Sequence, residues 1–265
     1  MKPLQLSVCL DDLRMSIKPA LNRARSLGFA AVDICATDGP VSPAALSRTG
    51  QRHLLRHLAD MGLRLGSLRG PTSGPGYADP AAGEYRLDNM RSILHLASAL
   101  RVPVVSTTLG LARGTDADVQ HSRSVEALEM LADDADRLGI HVAVETTGIE
   151  SQLLSKLLRQ IHCPGLGACC DSGAMLMQGE DPHQLSDTLA GWVHLVRARD
   201  AVSGSETMTG HEVALGEGEL DVQLFLAGLR ESGYDGDIVL CRSTGSRPAA
   251  DLVRAKESFE TCLAN

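Results

Sequence analysis

The chain has 265 residues, 43% of them hydrophobic and 22% charged, a length that suits one large core and does not demand a second domain. Its net charge of −8 would repel a phosphate backbone, which argues against a general nucleic-acid-binding protein. Aromatic residues make up 3% of the chain and its seven cysteines follow no framework spacing, which argues against a carbohydrate-stacking surface and a disulfide-stapled secreted domain.

The first predicted element is a short strand, 4–9, in an apolar run that Asp11 and Asp12 soon interrupt. The run is too short for a membrane span and lacks the pattern of a signal peptide. Cys169 and Cys170 are adjacent and are expected to be small buried residues with free thiols. We therefore expect a soluble cytoplasmic protein that does not bind membranes.

One unit recurs along the chain: a helical pattern, a glycine, and then a short apolar run. Gly28, Gly62, Gly139 and Gly233 hold this position. Glycine ends a helix in the left-handed conformation without steric cost. Because the apolar runs that follow are nearly continuous, they indicate parallel strands that are buried on both faces.

Eight strands are predicted, at 4–9, 30–35, 64–69, 103–108, 141–146, 166–171, 192–198 and 237–241. Helical patterns lie near 16–27, 51–61, 84–100, 121–138, 150–161, 182–190, 221–232 and 248–263. Eight β/α units in this length predict an α/β protein, a single-domain (β/α)8 TIM barrel over 1–265.

The predicted strand-to-helix loops are longer than the helix-to-strand turns. The long ones are 70–83, 109–120 and 201–220. In a barrel of this type the loops after the strands build the active face. The glycine- and proline-rich loop 70–83 is either a solvent loop or a substrate lid.

Four strands end in side chains that could form a site. Glu145 and Asp171 close strands five and six, Arg197 lies in strand seven, and Cys241 closes strand eight. Two carboxylates facing two further ligands would bind a divalent metal, whereas a guanidinium between them would repel one. We expect Arg197 to lie between Glu145 and Asp171, either as an attached cation in the place of a metal or as part of a buried ion-pair network without chemistry.

The stretch 210–240, GHEVALGEGELDVQLFLAGLRESGYDGDIVL, resembles the xylose isomerase-like TIM barrel family of sugar isomerases, epimerases and endonuclease-IV-like enzymes. VAVET at 142–146, CCDSG at 169–173 and VRARD at 196–200 resemble its fifth, sixth and seventh strands. The resemblance covers nearly the whole chain and implies the barrel fold. It also implies sugar isomerase or epimerase chemistry at the strand ends.

The family holds one divalent metal with Glu, Asp, His and Glu from strands five to eight. Glu145 and Asp171 match the first two ligands, whereas Arg197 and Cys241 stand at the third and fourth positions and Ala174 replaces a further His. We therefore favour no cofactor. A bound Mn, Co, Mg or Zn ion is the less favoured alternative, with the ligands Glu145, Asp171, Cys241 and His211. His194 is expected to face the helices, because strand alternation separates it from Arg197.

Several residues are candidates for binding an anionic substrate. Arginine presents a fork of donors that suits phosphate or carboxylate, and Arg69, Arg199 and Arg242 lie at or just after strand ends. His211 comes from the long loop. Gly216 and Gly218 precede a helix and either cradle a phosphate at its N-terminus or form a plain turn.

The leading hypothesis is an isomerase or epimerase acting on a small sugar, sugar phosphate or hydroxy-keto acid without a metal. Glu145 would remove a proton next to a carbonyl, Arg197 would stabilise the enediolate, and Asp171 or Cys241 would return the proton. The alternative is a non-catalytic barrel that binds small anions. An abasic-site endonuclease is disfavoured because the metal-binding histidines and positive charge are lacking. Barrels of this kind often pair, which is compatible with a homodimer.

Overall fold

The computed structural model describes residues 4–110, 117–205 and 208–264. Residues 111–116 of the predicted loop 109–120 and residues 206–207 of the loop 201–220 lie outside the described parts of the chain. Eight parallel strands form a closed barrel in sequential order, and the last strand pairs with the first. The predicted TIM barrel is thereby confirmed.

The barrel strands are β1 (Gln5–Cys9), β2 (Ala31–Cys35), β3 (Arg64–Arg69), β4 (Val104–Thr107), β5 (His141–Glu145), β6 (Leu166–Asp171), β7 (Val193–Ala198) and β10 (Asp237–Leu240). A two-stranded antiparallel hairpin, β8 (Asp200–Val202) and β9 (His211–Val213), follows β7. Apart from its first residue, Asp200, the hairpin lies inside the segment 201–220 that the sequence pattern assigned to a loop.

The helices are α1 (Ile17–Ser26), α2 (Arg48–Asp60), α3 (Gly83–Ala99), α4 (Ala117–Leu138), α5 (Ser151–Ile161), α6 (Ser172–Met177), α7 (Leu185–Thr188), α8 (Val222–Glu231) and α9 (Pro248–Leu263). The predicted helix 182–190 is a 3-10 turn, Pro182–Gln184, followed by the short α7. The short α6 was not predicted. None of the helices in the described residues has the length and apolarity that a membrane crossing requires.

The four glycines that precede strands adopt positive φ values between 65° and 81°, as their position after a helix predicts. Each allows the chain to leave a helix and enter a buried strand within a few residues. The turns at this end of the barrel are therefore short, and the long connections lie at the carboxyl ends of the strands.

Two apolar layers stabilise the barrel. The larger lies between the strands and the surrounding helices, and Cys170 belongs to it. The smaller fills the barrel interior with Cys9, Val104, Ala143, Cys169, Leu195, Val239 and Cys241. All seven cysteines are free, and Cys169 and Cys170 are fully buried, as predicted.

A cavity of about 290 Å³ lies at the amino-terminal end of the barrel interior. His141 and His194 stack there with their ring centroids 4.3 Å apart. The prediction that His194 faces the helices is wrong. Ala168 pairs with Val193 but Cys169 pairs with Leu195, so His194 is an extra residue at a register shift and strand alternation fails there.

Candidate active site

The carboxyl ends of the strands enclose a small polar cavity of about 190 Å³. Its lining residues come from strand ends or from the first residues after them: Arg69, Thr72, Glu145, Thr147, Asp171, Arg197, Arg199, Cys241 and Ser243. All four predicted catalytic residues line this cavity, as do Arg69 and Arg199 from the predicted substrate-binding set. Arg242, His211, Gly216 and Gly218 are not among the lining residues.

Arg197 lies on the barrel axis and pairs with a carboxylate that the sequence analysis did not single out. Its Nη1 and Nη2 donate to Asp33 Oδ1 and Oδ2 at 3.1 and 3.0 Å, and Nη2 also donates to Ser106 Oγ at 3.0 Å. Burial opposes the charge of Asp33, but the charges of Arg197 and Arg69 outweigh it and hold the pKa of Asp33 below its usual value. The buried ion pair therefore remains charged.

The expectation that Arg197 lies between Glu145 and Asp171 holds for Glu145 alone. Glu145 Oε1 lies 3.3 Å from Arg197 Nε, whereas Asp33 takes the place expected for Asp171. A β2 side chain can reach the barrel axis as well as a β6 side chain can, and sequence spacing does not distinguish the two.

Glu145 is 4% exposed and faces the cavity. Its Oε1 and the Nε of Arg197 are both buried without a hydrogen-bond partner in the described structure, because their contact lacks hydrogen-bond geometry. An unsatisfied acceptor and donor in a buried site are costly. A substrate hydroxyl that reached these two atoms could satisfy both, because it can donate to Oε1 and accept from Nε.

Asp171 is occupied by other partners. Arg199 Nε and Nη2 donate to its two carboxylate oxygens at 2.9 and 2.8 Å. Its Oδ1 also accepts from the Ala174 backbone N–H at 2.9 Å, which caps α6. Asp171 therefore positions Arg199 and the start of α6.

The β8–β9 hairpin contributes Glu212, and not His211, as an ion-pair partner of the lining residue Arg199. His211 is exposed, whereas Glu212 is buried with its carboxylate 3.6 Å from Arg199 Nη1 and 3.5 Å from Arg242 Nη1. Consecutive strand residues point to opposite faces, so when Glu212 faces inward His211 faces solvent. His211 is consequently remote from the cavity that it was predicted to line.

Arg242 faces away from the cavity. Its Nε donates to Asp251 Oδ2 at 3.0 Å and its backbone N–H donates to Asp12 Oδ2 at 2.8 Å. Arg69 does line the cavity, where Nη2 contacts Asp11 at 2.6 Å and Nη1 lies 3.3 Å from Cys9 Sγ.

The carboxylate of Asp200 occupies the turn at Gly216 and Gly218, where a phosphate was one of the two predicted possibilities. Asp200 Oδ2 accepts from the backbone N–H groups of Gly216 and Gly218 at 2.8 and 3.0 Å, and Oδ1 accepts from Leu220 and Ala201 at 3.0 and 2.8 Å. These donors would be the ones to hold a phosphate. The phosphate-cradle interpretation of Gly216 and Gly218 is therefore wrong, and the plain-turn alternative describes them.

Cys241 is 8% exposed, and its Sγ lies 3.7 Å from Arg197 Nη1. A hydrogen bond with the Cys9 thiol, and then burial, raise the pKa of Cys241 well above its ordinary value. The side chain is therefore a neutral thiol at neutral pH, and it can donate a proton.

The residues do not fit a resident divalent cation between Glu145 and Asp171. Such an ion would lie beside two guanidinium groups, because Arg197 Nε is 3.3 Å from Glu145 and Arg199 Nη2 is 2.8 Å from Asp171. Of the other two predicted ligands, His211 is exposed on the hairpin. Cys241 groups instead with Cys9 and Asp12.

The lining arginines carry no surplus positive charge. Arg69 pairs with Asp11, Arg197 with Asp33 and Glu145, and Arg199 with Asp171 and Glu212. Because each of these three guanidinium groups contacts at least one of the five carboxylates, the cavity does not attract an anion as strongly as its arginine content suggests.

The loop 70–83 is attached to the barrel. Tyr77 is buried, and its hydroxyl hydrogen-bonds Thr107 Oγ1 at 2.8 Å. Arg86, itself buried, donates to the carbonyl oxygens of Ser73, Pro75 and Pro71 at 2.9, 3.0 and 2.6 Å. The segment therefore forms an ordered rim next to Thr72 of the cavity, which differs from a plain solvent loop.

Comparisons with known proteins agree with this architecture. A family model described as a xylose isomerase-like TIM barrel matches residues 21–262. A xylose isomerase domain protein from Planctomyces limnophilus superposes with a TM-score of 0.82 at 21% identity, over 98% of this chain and 96% of that chain. No curated protein matches the chain.

Two epimerase-related structures are also similar. A D-tagatose 3-epimerase-like protein superposes with a TM-score of 0.82 at 18% identity, over 98% of both chains. An L-ribulose 3-epimerase superposes with a TM-score of 0.80 at 17% identity, over 98% of this chain and 95% of that chain. At these identities the likeness establishes the fold alone.

Proposed function

The chain belongs to the xylose isomerase-like TIM barrel family, and on that premise we propose that it is a metal-independent isomerase or epimerase of a small, uncharged polyhydroxy-carbonyl compound. A cavity of about 190 Å³ lined almost entirely by polar side chains suits a sugar-sized ligand. The lining arginines are all paired with carboxylates, which favours a neutral sugar over a sugar phosphate.

The observation that carries this proposal is the state of Glu145. Glu145 lines the cavity, and its Oε1 is buried and lacks a hydrogen-bond partner in the described structure. A carboxylate held in this way is a suitable general base for a proton next to a carbonyl group. The adjacent Arg197 Nε, also without a partner, is placed to donate to the enediolate oxygen that then forms.

Cys241 is the better candidate for returning the proton. Both oxygens of Asp171 are engaged with Arg199, whereas the Cys241 thiol is protonated and lines the same cavity. Glu145 and Cys241 come from β5 and the end of β10, so a substrate carbon between them would be approached from two sides. That arrangement suits removal and return of a proton with inversion.

The experiment is a deuterium-exchange assay in heavy water with ketoses such as D-tagatose, L-ribulose, D-psicose and D-fructose. We expect deuterium to enter the carbon next to the carbonyl group, and Glu145→Gln to slow this entry by at least about 10²-fold because the base is lost. Glu129→Gln, the same change at an exposed position on α4, should leave the rate unaltered.

Cys241→Ser separates the two roles. If Cys241 donates the proton, the variant retains Glu145-dependent deuterium entry but forms much less epimer. Equal epimer formation by the variant and the wild type would remove Cys241 from the mechanism. Ligand-induced thermal stabilisation without any exchange would contradict catalysis and favour the non-catalytic binding barrel.

A further inference from the structure

Two cysteines and an aspartate meet beside the cavity, away from the acids that the family uses for metal. Cys9 ends β1, Asp12 lies in the 3-10 turn after it, and Cys241 follows β10. One ligand atom of each lies within 4.8 Å of the other two, and all three residues are buried. Strands β1 and β10 are hydrogen-bonded neighbours with Val8 opposite Leu240, so Cys9 and Cys241 come next in register.

We propose that Cys9, Asp12 and Cys241 form a binding site for a thiophilic divalent cation of the Zn²⁺ type. Two thiolates and a carboxylate are ligands that zinc accepts in tetrahedral geometry. A tetrahedral ion would bring the sulfurs to roughly 3.8 Å from each other, a small contraction from the present limit of 4.8 Å. Because Cys241 also lines the cavity, the fourth position opens towards it.

The neighbouring arginines favour this site, although they disfavour a cation between Glu145 and Asp171. Two thiolates and a carboxylate carry more negative charge than a divalent ion neutralises, so the loaded cluster remains anionic. Arg69 Nη1 lies 3.3 Å from Cys9 Sγ and Arg197 Nη1 lies 3.7 Å from Cys241 Sγ, where each can donate to a metal-bound thiolate.

Asp12 is oriented before any ion arrives. Its Oδ2 accepts the backbone N–H of Arg242 at 2.8 Å, which fixes the carboxylate beside the end of β10. Hydrogen bonds of this kind orient metal ligands in other proteins. The cluster therefore offers two soft sulfur ligands and one hard carboxylate ligand that is already oriented. Arginine hydrogen-bond donors lie next to both sulfurs.

Metal binding here is independent of the proposed function, and it would oppose that function. Both cysteines bind the ion as thiolates, so binding displaces the proton of the Cys241 thiol to solvent. A Cys241 thiolate bound to the ion can no longer donate a proton to a substrate. The loaded protein would therefore lose epimer formation, whereas the metal-binding measurement requires no substrate.

The experiment titrates the reduced, metal-free protein with Cd²⁺ and follows sulfur-to-metal charge-transfer absorption. We expect one equivalent to bind with proton release at neutral pH, and excess Zn²⁺ to compete with Cd²⁺ for the same site. Cys9→Ser, Cys241→Ser and Asp12→Asn should each weaken binding by at least about tenfold. Cys35→Ser removes a half-buried thiol near Asp38 and should bind as the wild type does.

Unchanged absorption in folded Cys9→Ser and Cys241→Ser variants would overturn the assignment. Should these variants fail to fold, X-ray absorption of the zinc-loaded wild type provides the test. Two sulfur ligands and at least one oxygen ligand support the site, and a coordination shell without sulfur refutes it.

Discussion

At the scale of single residues, the central fact is that Arg197 and Asp33 form an ion pair inside the barrel. The side chain of Arg197 is 4% exposed and that of Asp33 is fully buried. Two donor–acceptor pairs and a third bond to Ser106 compensate for the loss of hydration. Without Arg197, the buried Asp33 carboxylate would lose its two-bond ion-pair partner.

Arg197→Ala should lower the free energy of unfolding by about 3–5 kcal/mol, because it leaves the Asp33 carboxylate buried and unpaired. Urea unfolding measures the change. Arg137→Ala, which removes an exposed arginine from its ion pairs with Asp133 and Asp134, should cost less than about 1 kcal/mol. Equal losses in both variants would contradict the structural role of the buried pair.

The sequence predicts which strand ends face the cavity but not which side chains pair there. Glu145 and Cys241 follow apolar runs, so the sequence alone predicts that each lies at the end of a strand. Asp33 lies within the apolar run AVDIC. A single acidic residue in an otherwise apolar strand was the sequence signal that could have indicated a role for it. Its partner depends on the closure of the barrel, which brings the Asp33 side chain of β2 within reach of Arg197 of β7. Local sequence spacing does not reveal that contact.

At the scale of elements, Asp200 organises the connection between β7 and α8. Its two oxygens accept four backbone N–H groups, those of Ala201, Gly216, Gly218 and Leu220. Gly218 is required at its position, because a Cβ there would lie 2.3 Å from Asp200 Oδ1. This one side chain therefore determines the path of the chain after the hairpin.

Asp200→Ala should lower the free energy of unfolding by at least about 2 kcal/mol, since it leaves several N–H groups without acceptors. Hydrogen exchange at Gly216, Gly218 and Leu220 should accelerate. As a matched change, Asp221→Ala removes the carboxylate that caps α8; it should cost about 1 kcal/mol and leave exchange at Gly216 unaltered. Unaltered exchange in Asp200→Ala would refute this role.

Element prediction succeeded where the signal was long and failed where it was short. The eight barrel strands and the long helices follow glycine stops and apolar periodicity, which extend over whole elements. The hairpin strands β8 and β9 have three residues each, and α7 has four. Elements of that length are stabilised by tertiary contacts, so periodicity cannot reveal them.

At the scale of the whole molecule, the barrel has polar groups at both ends. The carboxyl end holds the candidate active site, and the amino end holds the stacked pair His141 and His194. Burial, and then the neighbouring His141, lower the pKa of His194 from 6.5 to about 4. His194 is therefore neutral in the folded protein at neutral pH.

This shift predicts acid sensitivity. The unfolded chain binds a proton at His194 below about pH 6.5, while the folded chain does so only near pH 4, so stability is lost as pH falls between these values. The loss should be about 2–3 kcal/mol. Unfolding curves at several pH values should show a shallower decline for His194→Gln. His95→Gln, at an exposed position on α3, should decline as the wild type does.

Barrel closure joins the two ends of the chain. Gln5 of β1 pairs with Asp237 of β10, and Ile238 of the same strand pairs with Val196 of β7. In a nascent chain whose β10 has not yet left the ribosome, β1 and β7 would each have one edge without hydrogen-bonding partners. Such edges recruit other chains, so the protein is exposed to aggregation until the four residues Asp237–Leu240 have paired with both neighbouring strands.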